Sequence, residues 1–90
     1  MGRPLLQCPC CDFFTLVDRG ASETCPVCYW EDDGSDLEAL DEVSSRNHIT
    51  LRTARRNFAE LGACDHSATG LVLAPSDWPR FRREVRATVY

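Results

Sequence analysis

Six cysteines stand out in this chain of 90 residues, and four of them form two short pairs with the same spacing. The first pair lies in Cys8-Pro9-Cys10-Cys11 and the second in Cys25-Pro26-Val27-Cys28, so each reads Cys-Pro-X-Cys. A two-residue gap lets the chain turn back so that both thiolates reach one ion, and proline presets φ for that turn. Because Zn²⁺ prefers four such ligands in a tetrahedron, the spacing predicts one structural zinc ion on Cys8, Cys11, Cys25 and Cys28.

Two other interpretations of the cysteine pairs remain open. A disulfide framework would suit a secreted chain, but the N-terminus reaches Cys8 before the apolar region of a signal peptide could form. A thioredoxin-like redox motif would need a pair that follows a strand and opens a helix, and neither pair does. No apolar run approaches the roughly 20 residues that span a bilayer. The sequence therefore predicts a cytoplasmic protein without a membrane partner.

The other two cysteines, Cys10 and Cys64, fall outside this pattern. Cys10 aligns with Val27 of the other pair, at the position that binds no metal, and we expect an exposed spare thiol there. Cys64 is remote from both pairs and is expected to be a small core residue. A second metal site is an alternative, although its four members share no ligand spacing: Cys10, Cys64, His48 and His66.

Catalysis finds little support in the sequence. A site of four cysteines is closed and leaves no coordination position for water or substrate. Neither Cys10 nor Cys64 lies in a recognisable signature of a nucleophile with His48 or His66 as its base. A chain of 90 residues also has little room for a substrate pocket of several hundred Å³. The sequence predicts a protein that is not an enzyme.

A β-hairpin within residues 5–32 is expected to bring the two cysteine pairs together. Residues 13–17 are aromatic and β-branched, which favours a strand, and residues 18–22 have the composition of a turn. A return strand would cover residues 23–25, and residues 29–30 would extend the sheet. The hairpin would carry one cysteine pair at the corresponding end of each arm.

A loop and two helices are predicted to follow the hairpin. Residues 31–49 are acidic and poor in apolar side chains, so they should form a loop, with one short turn near residues 37–40. A helix over about 50–62 is indicated by Thr50 as N-cap, Gly62 as terminator and an apolar face at helical spacing. That face comprises Leu51, Ala54, Phe58 and Leu61. A second helix is predicted over about 77–88, with a buried face of Trp78, Phe81 and Val85.

The length and these elements predict one domain over residues 1–90, of the α+β class. A small zinc-ribbon hairpin would pack against one or two amphipathic helices. We expect the helix faces to cover one side of the sheet and to meet Phe14, Leu16 and Tyr29.

Charge is segregated along the chain. Residues 31–42, which we call the acidic segment, carry seven carboxylates and no base, whereas residues 43–90 carry eight arginines and four carboxylates. Internal pairing would explain this pattern, and so would a charged face offered to a partner. The carboxylates predicted to contact a basic protein partner are Glu31, Asp32, Asp33 and Asp36.

The alternative function is a nucleic-acid-binding or regulatory zinc ribbon that uses arginine-rich helices, because zinc ribbons commonly bind nucleic acid and arginines crowd both predicted helices. They are Arg52, Arg55, Arg56, Arg80, Arg82, Arg83 and Arg86. The low isoelectric point, near 5.0, disfavours this alternative, since the seven carboxylates of the acidic segment would have to face away from phosphate.

The motifs together resemble the CPCC cysteine-rich family of small bacterial proteins. The resemblance covers residues 8 to about 66 and includes the Cys-Pro-Val-Cys-Tyr-Trp-Glu-Asp-Asp-Gly run at residues 25–34. It continues through Ala54-Arg55-Arg56-Asn57-Phe58 and Gly62-Ala63-Cys64. One departure is Asp12, where the family often has glycine, which could strain the turn.

The resemblance implies a zinc-ribbon-like protein with no assigned enzymatic activity, similar to members of bacterial toxin–immunity neighbourhoods. The preferred function is a non-enzymatic, zinc-stabilised binding protein that uses its acidic segment against a basic protein partner. An immunity-type inhibitor of a basic toxin domain is the most specific form of that function.

Overall fold

Residues 4–87 are described by the computed structural model, and within them a two-stranded sheet and one α-helix surround a cluster of cysteines. Strands β1 (Leu6–Gln7) and β2 (Phe14–Leu16) are antiparallel, and helix α1 covers Leu51–Leu61. Short 3₁₀ helices cover Leu37–Ala39, His66–Ala68 and Pro75–Arg80. The predicted α+β fold with a zinc-ribbon-like hairpin is confirmed.

The first cysteine pair lies in a tight knuckle (residues 8–13) between β1 and β2. Cys8 N donates to Phe13 O over 2.8 Å, and Asp12 N donates to Cys8 O over 3.0 Å. The chain therefore reverses at the cysteines. The register places Leu6 opposite Leu16 and Gln7 opposite Phe14. The strand predicted at residues 13–17 is confirmed at its centre, but its partner precedes it in the chain.

The second cysteine pair lies in a second knuckle (residues 25–30) with the same backbone closure. Cys25 N donates to Trp30 O over 2.9 Å, and Tyr29 N donates to Cys25 O over 2.8 Å. The spacing of donors and acceptors is identical to that of the first knuckle. Two equivalent turns therefore present their cysteines to each other.

The predicted return strand at residues 23–25 and its extension at residues 29–30 are wrong. Each knuckle closes on itself, so its flanks pair locally rather than with the other arm. Beside the second knuckle, Thr24 pairs with Glu31, and Asp32 N donates to Glu23 O over 2.9 Å. The cysteine pairs therefore meet as two local turns instead of at the ends of one long hairpin.

Helix α1 has the boundaries that its capping residues predict. The Thr50 side chain accepts a hydrogen bond from Thr53 N, and Gly62 ends the helix at φ +75°, donating to Phe58 O. Three members of the predicted apolar face are buried: Leu51, Ala54 and Phe58. Leu61, at the last turn, is 37% exposed.

The predicted second helix over residues 77–88 is wrong for the part of it that the structure describes. A 3₁₀ helix over Pro75–Arg80 contains Pro79, which has no N–H to continue it, and the chain is extended at Phe81. The extended chain is then hydrogen-bonded to the first residue of β2, since Phe14 N donates to Arg82 O over 2.9 Å. As a consequence Val85 is 69% exposed instead of buried, and residue 88 lies outside the described residues.

The core joins the cysteine cluster to α1 through a group of aromatic rings. Phe13, Phe58 and Trp78 have ring centroids 5.1–6.4 Å apart, in edge and tilted arrangements. Leu16 is fully buried and Phe14 is half-buried, but Tyr29 is 41% exposed, so its predicted place in the core is wrong.

Residues 31–49 form irregular chain around the 3₁₀ helix Leu37–Ala39, which confirms the predicted loop and its short turn. Asp36 is the N-cap of this turn, and its carboxylate accepts from Leu37 N. No helix within residues 4–87 is both long enough and apolar enough to cross a membrane.

Candidate metal centre

The four cysteines predicted as ligands form one buried cluster. Cys8 Sγ lies 3.6 Å from Cys28 Sγ, and Cys11 Sγ lies 3.8 Å from Cys25 Sγ. All four sulfur atoms lie within 4.8 Å of one another, and all four residues are at most 1% exposed. Bonds of 2.3 Å to a tetrahedral ion would separate ligand sulfurs by about 3.8 Å. The donor set therefore fits one metal ion.

The same distances exclude disulfides between these residues. A disulfide joins its sulfur atoms at about 2.0 Å, and the sulfur pairs at 3.6 and 3.8 Å are too far apart for that bond. All six cysteines are free. The disulfide alternative is therefore wrong for this structure.

Both knuckles place a residue in the left-handed backbone region just after their last cysteine. Asp12 has φ +69° and Tyr29 has φ +70°, and each is the residue whose N–H closes its knuckle. This conformation is costly for residues other than glycine, although aspartate tolerates it better than tyrosine. Glycine would adopt this conformation without that cost.

Two neighbours support the sulfur atoms directly. Thr15 Oγ1 lies 3.0 Å from Cys25 Sγ, where its hydroxyl can donate to a thiolate, and Trp30 N donates to Cys28 Sγ over 3.4 Å. Such hydrogen bonds stabilise thiolates and tune the metal they bind. Sequence reasoning missed Thr15, which it treated only as part of a strand.

Hydrogen bonding and burial shift the pKa values of the clustered thiols in opposite directions. Hydrogen bonds, first of all from Cys11, hold the pKa of Cys25 far below its ordinary value. Burial raises the pKa of Cys28 well above its ordinary value. Four thiolates therefore cannot coexist in this buried space without a cation. A divalent ion would supply that charge and displace the remaining protons.

Asp12 makes the most heavily bonded charge cluster in the described residues. Asp12 is 1% exposed, and its carboxylate accepts hydrogen bonds from the two terminal guanidinium nitrogens of Arg55, over 2.8 and 2.9 Å. Arg86 adds donations from its backbone N over 2.8 Å and from Nε over 3.0 Å. Burial acts to raise the pKa of Asp12, but the hydrogen bonds from Arg55 and Arg86 outweigh it and lower the pKa.

Arg55 also ties α1 to the first knuckle through the backbone. It donates to Pro9 O over 2.6 Å and to Arg86 O over 2.8 Å. Sequence reasoning grouped Arg55 with the other arginines off the apolar face. No local spacing in the sequence marks Arg55 as the partner of Asp12, so the pairing becomes visible only in the fold.

Two of the four predicted partner-binding carboxylates form ion pairs within the chain. Asp32 is fully buried and accepts from Arg19 Nε over 2.9 Å and from Gly20 N over 2.7 Å. Asp36 is bridged by Arg19 and Arg86, over 2.9 and 3.0 Å. Both carboxylates are therefore used in ion pairs within the chain, and a partner contact at Asp32 or Asp36 stays a prediction.

The other two predicted carboxylates lie nearer the surface. Asp33 accepts hydrogen bonds from the backbone and hydroxyl of Ser35, so it also stabilises a turn. Glu31 is half-exposed, and no side chain among residues 4–87 forms a hydrogen bond or ion pair with its carboxylate. Its role in binding a partner stays a prediction.

Most of the arginines proposed for nucleic-acid binding are engaged with the protein itself. Arg83 donates to Cys11 O over 3.1 Å, and Arg82 stacks over the Phe14 ring at 4.1 Å. Arg52 pairs with Asp41 over 2.8 Å. With Arg55 and Arg86 held by Asp12, the structure does not bring these arginines together on one helical face.

The remaining cysteines and histidines form no second metal group within the described residues. Cys10 is 2% exposed, so the prediction of an exposed thiol is wrong; its turn faces the protein interior. Cys64 is 5% exposed and is confirmed as a core residue, and burial raises its pKa to about 12. His48 and His66 are exposed.

Comparison with known proteins gives one match. A model of the family described as cysteine-rich CPCC matches residues 6–78. No curated protein and no solved structure matches the chain. The matched stretch contains both knuckles, α1 and Cys64, so the metal-ligand cluster lies wholly within the family's shared region. By this match the chain belongs to the cysteine-rich CPCC family.

Proposed function

We propose that this chain is a non-enzymatic binding protein, that one structural zinc ion holds its fold, and that its acidic segment docks a basic protein partner.

The sulfur geometry supports zinc as the metal. Tetrahedral sites of four thiolates are typical of zinc and of iron–sulfur centres, and zinc takes such a site as a closed structural unit. The four ligands are at most 1% exposed, and their distances of 3.6 and 3.8 Å match the edges of a tetrahedron around one ion. Zinc would serve as the crosslink between the two knuckles.

The arrangement of reactive side chains supports a non-enzymatic role. A closed four-cysteine site offers no bonding position to a substrate. The other candidate nucleophiles, Cys10 and Cys64, are buried, whereas the candidate bases His48 and His66 lie at the surface. These groups therefore lack the mutual contact that nucleophilic catalysis requires.

The docking proposal is carried by how charged side chains divide between interior and surface. The internal ion pairs join Arg19, Arg55 and Arg86 to three carboxylates, so these charges offset each other; the carboxylates are Asp12, Asp32 and Asp36. In the acidic segment Glu38 and Glu42 remain exposed. The accessible charge therefore favours a basic partner, with complementary fields that speed association.

Nucleic-acid binding is the second candidate, and it has weaker support. Arg46, Arg56 and Arg80 are exposed and have no ion pair within residues 4–87. They come from three separate elements, so they would offer isolated phosphate contacts instead of a basic stripe.

An immunity-type inhibitor of a basic toxin domain is the most specific form of the proposal, and it is supported by the resemblance to the bacterial CPCC family. The product of the neighbouring reading frame is therefore the first protein to test as a partner. Partner and chain are to be purified separately and their association measured at low and at physiological salt.

Two charge-reversed variants make this test specific. Glu38→Lys/Glu42→Lys changes the acidic segment, and Glu60→Lys/Glu84→Lys is a matched control on other exposed carboxylates. We expect the first variant to lose binding and the control to keep it, with association slowed by salt. Equal binding by both variants would contradict docking through the acidic segment. Retention of duplex DNA by the native protein in a mobility-shift assay would favour the second candidate.

A further inference from the structure

A small pocket beside the second knuckle has the chemistry of a receptor for one basic side chain. It has a volume of about 170 Å³, below the roughly 300–1,000 Å³ of pockets for small-molecule ligands. Two carboxylic residues, Glu31 and Asp65, line it together with Tyr29. Its other lining residues include Ile49, Cys64 and Ala68.

The charge of this pocket is unbalanced. No arginine, lysine or histidine is among the described residues that line it. Asp65 accepts hydrogen bonds from His66 N and from the Ser67 hydroxyl, which are neutral donors. The Glu31 carboxylate has no side-chain partner within residues 4–87. A cation entering the pocket would therefore find two acidic residues in its walls and displace no ion pair within residues 4–87.

The pocket is built from segments that are fixed before any ligand binds. The Asn47 side chain accepts from Glu31 N over 2.9 Å and donates to Glu31 O over 2.8 Å. Cys64 N donates to Cys28 O over 2.8 Å, which ties the segment before Asp65 to the second knuckle. Walls held in this way lower the ordering cost of binding.

We propose that this pocket receives an arginine side chain of the basic protein partner, an inference that rests on the docking function proposed above. A guanidinium is planar and can pair with carboxylates while it stacks on a tyrosine ring, whereas an ammonium is a compact charge without a face. Tyr29 is 41% exposed and so offers ring surface to the ligand. The pocket would bind one arginine side chain, and the exposed carboxylates of the acidic segment would attract the basic partner electrostatically.

The test titrates the metal-loaded protein with N-acetyl-arginine amide and follows backbone amide signals by NMR. Saturable shifts are expected at Tyr29, Glu31 and residues 65–68, which surround the pocket. N-acetyl-citrulline amide, which has nearly the same shape but no charge, should cause none of them. Equal shifts with the citrulline probe, or shifts confined to another region, would overturn the proposal.

Variants separate the pocket from the rest of the acidic surface. Glu31→Gln should weaken binding of the arginine probe about tenfold, since a hydrogen bond to a charged group is lost. Glu60→Gln, on the exposed side of α1, should leave it unchanged. An unchanged affinity in Glu31→Gln, with the native fold verified by its amide spectrum, would overturn the assignment.

The outcomes also distinguish this proposal from the wider one. If reversal of Glu38 and Glu42 abolishes binding of the protein partner but the arginine probe does not bind, the pocket is wrong and the docking function stands. If the probe binds in the pocket and the reversal has no effect, the pocket stands and Glu38 and Glu42 are not part of the docking surface.

Discussion

The two knuckles have the same backbone geometry, but the residue that closes the first is buried and the residue that closes the second is exposed. Both are closed by hydrogen bonds of identical spacing, and both place their fifth residue in the left-handed region, Asp12 at φ +69° and Tyr29 at φ +70°. Asp12 is 1% exposed and is held by Arg55 and Arg86, whereas Tyr29 is 41% exposed. The first knuckle is locked into the fold, and the second leaves this residue at the surface.

This difference shows that the residue closing a metal-binding knuckle can have a structural role in one copy and a place at the surface in the other. Metal binding needs only the two cysteines and the turn between them, so the residue that closes the turn is open to other uses. In the first knuckle it anchors α1 and the chain at Arg86. In the second it lines a pocket of about 170 Å³. Changes that remove the metal should affect both knuckles equally, and changes at the closing residue should not.

The largest effect is expected from removing a ligand of either knuckle. Structural zinc contributes about 10–16 kcal/mol in small zinc-finger peptides, which matches or exceeds the roughly 5–15 kcal/mol stability of a typical domain. Cys11→Ser and Cys28→Ser should therefore both abolish the folded state, as seen by circular dichroism and solubility. A folded, metal-free Cys28→Ser protein would show that the two knuckles do not depend on a shared ion.

A smaller but still large effect is expected at the ion pair of the first knuckle. Asp12→Asn keeps the shape and tolerates the left-handed backbone, but it leaves the guanidinium of Arg55 uncompensated in a buried site. We expect a loss of about 3–5 kcal/mol in the free energy of unfolding, measured by urea denaturation of the metal-loaded protein.

The neighbouring arginine provides the control for this network. Arg55→Ala should destabilise the protein by a similar amount, because it removes two of the four hydrogen bonds that Arg55 and Arg86 donate to the buried carboxylate of Asp12. Arg56→Ala, one residue along and exposed, should change stability by about 0.5 kcal/mol at most. Similar effects of the two arginine variants would contradict the assigned role of Arg55.

The same ion pair predicts a pH dependence. The pKa of Asp12 is lowered in the folded protein, so its stabilising contribution is complete above its unfolded pKa, about 3.9, and is lost as the pH falls through the folded value. The difference in unfolding free energy between the native protein and Asp12→Asn should be constant near neutral pH and shrink below about pH 4. A difference that grows on acidification would reverse the assigned sign.

The smallest effect is expected at the equivalent position of the second knuckle. Tyr29→Gly relieves a left-handed conformation that costs about 1–2 kcal/mol, and it increases the flexibility of the unfolded chain by up to about 1 kcal/mol. The net change in stability should be below about 1 kcal/mol. Asp12→Gly, which relieves the same strain but removes the carboxylate, should destabilise strongly. Equal responses of the two glycine variants would refute the contrast between the knuckles.

Sequence reasoning was most successful where one local pattern sufficed. The Cys-Pro-X-Cys spacing identified four cysteines that the fold brings within 4.8 Å, and Thr50 and Gly62 marked the ends of α1. Each of these features depends on a few neighbouring residues. The capping and turn preferences involved are properties of the backbone and are nearly independent of the rest of the chain.

The errors came from interactions between distant residues. Residues 77–88 have a helical pattern, but Pro79 and pairing of Arg82 with Phe14 favour extended chain. Asp32 belongs to an acidic run and yet is buried, because Arg19, thirteen residues earlier, compensates it. Neither partner is marked by local spacing, so these pairs become visible only in the folded structure.

The most direct test of the account is the metal content of the folded protein together with the reactivity of its thiols. Elemental analysis should find one zinc per chain, both in the native protein and in the Cys10→Ser/Cys64→Ser variant, since neither residue belongs to the four-cysteine cluster. No thiol of the native protein should react rapidly with a thiol reagent, because all six cysteines are buried, and denaturation with a chelator should expose all six. Two zinc ions, no zinc in a folded chain, or loss of zinc in the double variant would contradict the proposed site.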